Sequence, residues 1–495
     1  MDRRPIHLGA DAVRTHWALR SSAIAMVVLL TGTATNMPVA SAIAPPPVEP
    51  ALVPSDGPPT PEQPMRQSND CAHTIAASRP DVSVPAPGFG MLNISKAWQY
   101  STGNGVSIAL IDTGVNPNPR LPVLPGGDYI LGGDGLTDCD AHGTIVASLI
   151  TAAPQGIPMP APMPADPPPR QLAPPLAPGT PDGVVGVAPH ATLISIRQSS
   201  RAYEPQNLGN VDSGAHKKAG TVATLARAIV HAADAGADVI NVSVAACVSA
   251  ADPLDQRTIG AAVWYAATVK DAVIVAAAGN SSEDGCTQNP LPDPLATVDE
   301  RDWAHVKTVS SPSWFSDYVL SVGAVDTTGV PIDKSLAGPW VAVAAPGVDI
   351  VGLSPQTAKP VNAYPPTRPG DSDIPFWGTS FAAAYVSGVA ALVRAKFPAL
   401  SAHQVINRIL QTSHNPARGV DNQVGFGVID PVAALTFNVP SGDRITPGSQ
   451  TRVLAPPPVP LKPDHRARSV ALVFAGAIAI IVLLVALISR VGQTR

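Results

Sequence analysis

The stretch Val106-Ser107-Ile108-Ala109-Leu110-Ile111-Asp112-Thr113-Gly114 decides the fold. Its apolar run, Val106 to Ile111, ends at a carboxylate and a glycine turn, which reads as a buried strand. Leu193 to Ile196 is a second apolar run, and Val239 to Val244 (VINVSV) is a third. Before the third, Val222, Leu225, Ile229, Val230 and Ala233 share one helical face, and Gly236 closes that helix. Val273 to Ala278 is a fourth strand, approached through a helical stretch from Gly260 to Lys270. Strands alternating with helices predict an α/β fold, a parallel sheet covered by helices on both faces. Polar residues gather where these strands end, which is where open sheets of this kind place their sites.

Around this rhythm the composition changes. Of 495 residues 56 are proline, about 11% against a usual share of about 5%. The excess lies in three stretches: residues 43–88, Pro154 to Pro181 with 12 prolines in 28 residues, and Thr446 to Pro463. None has helical or strand periodicity, so they predict an N-terminal extension (43–88), an insertion (154–181) within a folded domain (89–437), and a linker (438–468). A net charge of -5 provides no basic surface and speaks against a nucleic-acid partner.

The two ends point to export and a membrane. Arg3, Arg4, Arg14 and Arg20 precede the apolar run Ala23 to Leu30, and Ala40-Ser41-Ala42 follows as a cleavage site, so residues 1–42 read as a signal peptide. Residues 469–489, SVALVFAGAIAIIVLLVALIS, form an uncharged run of 21 residues, enough to cross the roughly 30 Å hydrocarbon core as one transmembrane helix. Lys462, Arg466 and Arg468 lie before this run, against Arg490 and Arg495 after it. A leading signal peptide outweighs that local bias, which places the folded domain outside and the tail 490–495 in the cytoplasm. Cys71, Cys139, Cys247 and Cys286 lack the C-x-x-C spacing of a zinc site, and no metal is expected. In an exported chain they predict two disulfides, with three possible connectivities.

Four short patterns carry the chemistry. Asp112 ends a strand before a glycine turn. His142 lies in Asp140-Ala141-His142-Gly143-Thr144, ahead of the apolar run IVASLI. Asn280 follows Ala276-Ala277-Ala278-Gly279, and Ser380 lies in Gly378-Thr379-Ser380-Phe381, which opens an apolar helix. Taken singly, they read as a solvated turn carboxylate, a cap neighbour, a turn asparagine and a helix N-cap. His190, His231 and His414 belong to no such pattern and read as structural or surface residues.

Taken together, DTG, HGT, AAGN and GTS-x-A in this order resemble the subtilisin-like serine proteases, over about residues 90 to 435. The resemblance implies a subtilisin-like parallel sheet flanked by helices and an endopeptidase that needs no cofactor. It implies Ser380 as nucleophile, His142 as its base, Asp112 as the group orienting the histidine, and Asn280 in the oxyanion hole. It also implies that Val242, Ser243 and Val244 receive a protein substrate as an added strand. Two positions depart from the family: Ala245 replaces a usual glycine and Ala384 a common proline, which puts activity on general substrates in question.

A short Pro-rich extension of about 45 residues in place of a folded propeptide, the C-terminal anchor and the motif DCDAHGT narrow the resemblance to the mycosins, membrane-anchored proteases of type VII secretion systems. The resemblance implies secreted proteins as substrates and the secretion membrane complex as partner. The alternative is a structural component that stabilises that complex, with proteolysis secondary. Cys247 and Cys286 follow the VINVSV and VIVAAA strands. If those strands are near neighbours, the two cysteines emerge at one sheet edge, which leaves Cys71 for Cys139.

Overall fold

The computed structural model describes residues 43–165, 168–171, 178–207, 219–251, 255–281, 283, 285–291, 301–445, 474–478, 480–482 and 484–485. The chain divides into two units, residues 1–446 and 447–495. In the second, the described residues are helical. Among the described residues no helix is long and apolar enough to cross a membrane. The expected signal peptide and most of the expected transmembrane run lie outside the described residues.

The first unit is built on a seven-stranded sheet. Its strands are β1 (Ser107–Asp112), β2 (Leu124–Asp128), β3 (Thr192–Arg197), β4 (Val239–Val242), β5 (Val273–Ala277), β6 (Val319–Val325) and β7 (Val343–Pro346), in the order β7-β6-β5-β4-β1-β3-β2. Every pairing in it is parallel. Side chains alternate between faces, so Ile108 and Leu110 join one core and Ala109 and Ile111 the other. The first core is covered by α1 (His142–Thr151) and α4 (Thr379–Lys396), the second by α2 (Val222–Asp234) and α3 (Arg257–Trp264). With both faces buried, the inner strands are largely apolar rather than alternating, as in β5, which reads VIVAA.

Chain order places the site. After β1 the chain runs to β2 and β3 on one side, then returns to β4 on the other. Loops leaving the ends of β1 and β4 therefore diverge and open a crevice at the carboxyl edge of the sheet. β4 is shorter than its apolar run, Val239 to Val244, suggests. Val242 pairs with Ile111 as the last step of the ladder, so Ser243 and Val244 run past it. The chain then turns into Ala246–Ser249, which pairs antiparallel with Thr308–Ser311. The helix expected over 260–270 runs as α3 and then loosens into a π turn over Tyr265–Val269.

The Pro-rich extension lies along the domain as a strap. Met65–Gln67 pairs antiparallel with Tyr203–Pro205, Cys71 is bonded to Cys139, and Ile75 bridges to Ala363. The buried Asn362 side chain accepts from the Ala77 N–H and donates to the carbonyls of Ala77 and Pro80. A segment too poor in apolar residues to fold alone gains order from backbone pairing and a covalent link. The insertion also touches the domain: Asn104 donates to the Met163 carbonyl, and Arg170 to those of Ala235 and Gly236.

Candidate active site

Asp112 ends β1 and is fully buried. Its Oδ1 accepts from the Thr113 N–H at 2.6 Å and lies 2.7 Å from His142 Nδ1. His142 is the first residue of α1, brought to that position by Ala141 in a left-handed conformation (φ 64°). Its other nitrogen, Nε2, lies 2.8 Å from Ser380 Oγ, and its ring packs against Phe381. Three residues distant in sequence thus form one line of hydrogen bonds. In this arrangement Nδ1 donates to the carboxylate and Nε2 accepts from the serine hydroxyl, the tautomer a general base requires.

Burial alone would lower the His142 pKa, but the charge and hydrogen bond of Asp112 outweigh it and raise the value; Arg201 opposes that rise. An imidazole held this way takes up a proton readily while remaining coupled to Ser380.

Ser380 is the second residue of α4, behind the N-cap Gly378, and so does not act as the cap itself. Its N–H is one of the first-turn donors without a partner inside a helix. Asn280 lies opposite. Its Oδ1 accepts from both the Thr379 N–H (3.0 Å) and Thr379 Oγ1 (3.1 Å), which orients the amide and turns Nδ2 outward. A Cβ built on Gly378 would lie 3.3 Å from Asn280 Nδ2 and 3.5 Å from Ser380 Oγ. The glycine therefore keeps open the space between the Ser380 hydroxyl and the Asn280 amide.

Ser243 is buried and donates to Asn241 Oδ1 at 2.6 Å, while Asn241 Nδ2 donates to Ser387 Oγ in α4. The segment Val242, Ser243, Val244 is thereby tied to the helix that carries Ser380. Cys247 and Cys286 are bonded with Cα atoms 5.1 Å apart, beside the Asn280 loop. His190, His231 and His414 lie apart from this cluster: His190 bonds Thr102, His231 bonds Asp56, and His414 faces Asp430. Sequence reasoning did not single out Thr379, Gly378, Asp138, Arg201 or Glu283, although Asp138, Gly378 and Thr379 fall within motifs it quoted. Their contribution is a contact, and a contact has no local pattern.

The chain has counterparts among known proteins. Residues 103–427 match the subtilase family, Peptidase S8. Mycosin-2 of Mycobacterium tuberculosis is 57% identical over 96% of this chain and 98% of its own length. Mycosin-5 of the same organism is 44% identical over 89% and 91%. Among solved structures, MycP1 from the ESX-1 type VII secretion system is 42% identical with a TM-score of 0.73, covering 82% of this chain and 100% of that one. A chain of an intact ESX-5 inner membrane complex is 48% identical with a TM-score of 0.72, covering 91% and 100%. With a parallel sheet of this order, the match across the whole domain and these identities, the chain belongs to the subtilase family of serine proteases and, within it, to the mycosins.

Proposed function

We propose that this chain is a serine endopeptidase acting through Asp112, His142 and Ser380, and that it works beside a type VII secretion complex. The observation that carries the reading is the hydrogen-bonded line from Asp112 Oδ1 through His142 to Ser380 Oγ, at 2.7 and 2.8 Å. A peptide lies along Ser243 and Val244, whose backbone extends past the sheet ladder. Ser380 Oγ attacks the scissile carbonyl carbon while His142 Nε2 takes the hydroxyl proton, and Asp112 stabilises the imidazolium. The oxyanion is met by Asn280 Nδ2 and the Ser380 N–H, aided by the positive end of α4. The imidazolium returns its proton to the leaving amine, and water then hydrolyses the acyl-enzyme by the same route reversed.

The remaining organisation completes the proposal. Residues 1–42 direct export, 469–489 anchor the chain by one span, the folded domain faces outward, and 490–495 remain in the cytoplasm. The run's length, its lack of charge and the basic head support this. A chain ending before residue 469 should then leave the membrane fraction.

A second role, bracing the secretion complex, is favoured by the relative solved within an ESX-5 inner membrane complex. Comparing Ser380→Ala with deletion of the chain in cells separates the two. Uncut secreted proteins with secretion intact support catalysis as the function. Normal cleavage in Ser380→Ala sinks the triad. Secretion lost only on deletion supports the bracing role.

A further inference from the structure

One carboxylate beside the site takes no part in the chemistry above, yet four donors converge on it. Asp138 is 3% exposed and lies four residues before His142. Its Oδ1 accepts from Thr113 Oγ1 at 2.9 Å and from the Asp140 N–H at 3.1 Å. Its Oδ2 accepts from the Thr144 N–H at 2.8 Å and from Thr144 Oγ1 at 2.7 Å. Thr113 directly follows Asp112, and Thr144 stands two residues after His142. One side chain thus ties the turn behind β1 to the first turn of α1.

The junction closes on itself. Thr113 Oγ1 accepts from the Gly143 N–H at 2.9 Å, and the Asn116 N–H donates to Thr144 Oγ1 at 3.0 Å. Asn116 Oδ1 in turn accepts from the Asp138 N–H at 2.8 Å. The two backbones are in contact, since a Cβ on Gly143 would lie 2.0 Å from the Gly114 carbonyl oxygen. Asp112 and His142 are 30 residues apart, so their hydrogen bond is only as well aimed as this junction.

The structure assigns Asp138 a positioning role: its carboxylate sets how Asp112 and His142 face each other, and through them the aim of His142 Nε2 at Ser380. It touches none of the reacting atoms, and the assignment rests on the triad proposed above. The chemistry of the side chain fits. A carboxylate has acceptor sites for all four donors and brings no donor of its own. An amide has one oxygen, and its NH2 must face the Asp140 or the Thr144 N–H. Burial pushes the Asp138 carboxyl up to about 7, against the pull of the Thr144 and Thr113 hydrogen bonds, so measurement at about pH 8 keeps it ionised.

The test uses the purified full chain and an alkyl fluorophosphonate. Ser380 Oγ bonds to phosphorus, fluoride leaves, and the hydroxyl proton departs through His142. In Asp138→Asn, kinact should fall about 10- to 100-fold with KI unchanged, the scale of a catalytic group misplaced by up to an ångström. Thr113→Val should be similarly slow, and Thr113→Ser, which restores the hydroxyl, should recover to within about threefold of wild type. A folded Asp138→Asn with wild-type kinact overturns the assignment. So does a Thr113→Ser as slow as Thr113→Val, and that pair decides the matter if Asp138→Asn fails to fold. Ser380→Ala must abolish labelling. A wild-type chain that resists the reagent, or a Ser380→Ala chain that reacts, overturns the triad and this assignment together, a pattern distinct from failure at Asp138 alone.

Discussion

Asn280 donates its side-chain amide to Glu283 Oε1 at 3.2 Å, and the same oxygen accepts from Arg201 at 3.0 Å. The donor that faces the Ser380 space is thus already engaged by a carboxylate. Arg201 follows β3 and Asn280 follows β5, with β1 and β4 between them in the sheet. The Arg201–Glu283 ion pair therefore reaches across the strand ends over which a peptide would lie.

Glu283→Gln keeps the length of the side chain and removes its charge. Freed from a competing anion, Asn280 should serve a developing oxyanion better. Fluorophosphonate labelling of Ser380 should quicken about three- to tenfold, the range of one net hydrogen bond of roughly 0.5–1.5 kcal/mol. An unchanged or slower rate would show that the contact costs nothing.

The pH dependence follows from His142. As the proposed base it must be neutral, so activity should be lost as pH falls through its pKa. Asp112 holds that pKa above the ordinary 6.5 despite burial, which places the acid limb of kcat/KM above 6.5. Arg201 lowers the value, so Arg201→Gln should move the limb to higher pH. Arg201 is largely exposed, and the shift should shrink at about 1 M salt. A limb that moves downward would reverse the sign of this argument.

Gly378 has φ 145° and ψ 164°, where a Cβ is not tolerated without strain of about 1–3 kcal/mol. Its Cβ would also fill the gap between Asn280 and Ser380. Gly378→Ala should fold with a lowered Tm and lose about 100-fold or more in labelling rate. Retention of full activity would mean that the reacting carbonyl does not sit there.

Cys71 and Cys139 join the strap to the loop before His142 with Cα atoms 4.5 Å apart. Replacing both by serine should cost about 2–5 kcal/mol in urea unfolding. Trypsin should then cut after Arg66 before the rest of the domain opens. Continued protection there would mean that pairing of Met65–Gln67 with Tyr203–Pro205 holds the strap alone.

The legible strands share a trait: β1, β3, β4 and β5 are predominantly apolar and buried at every position, with a polar residue at or just beyond the exit. β2 reads Leu124-Pro-Gly-Gly-Asp128 and becomes a strand only by pairing with β3 through a register shift. Val319–Val325 and Val343–Pro346 are equally buried but carry a weaker local signal, since Ser321 and Gly323 interrupt the first and the second spans only four residues before ending at Pro346. The strand that ends at Val242 rather than Val244 shows the limit most clearly, since its length depends on where its neighbour stops.

Local pattern was enough for the α/β class, because burial periodicity and turn chemistry act over a few neighbouring residues, while the candidate residues in the four motifs came from their joint resemblance to the subtilisin-like proteases. Tertiary structure alone decided the rest. His142 and Ser380 lie 238 positions apart, and Thr379 orients Asn280 across 99. Thr113 likewise reaches Asp138 across 25 positions, and Arg201 reaches Glu283 across 82. A hydrogen bond is set to within a few tenths of an ångström, and only the order of strands in the sheet brings those residues so close.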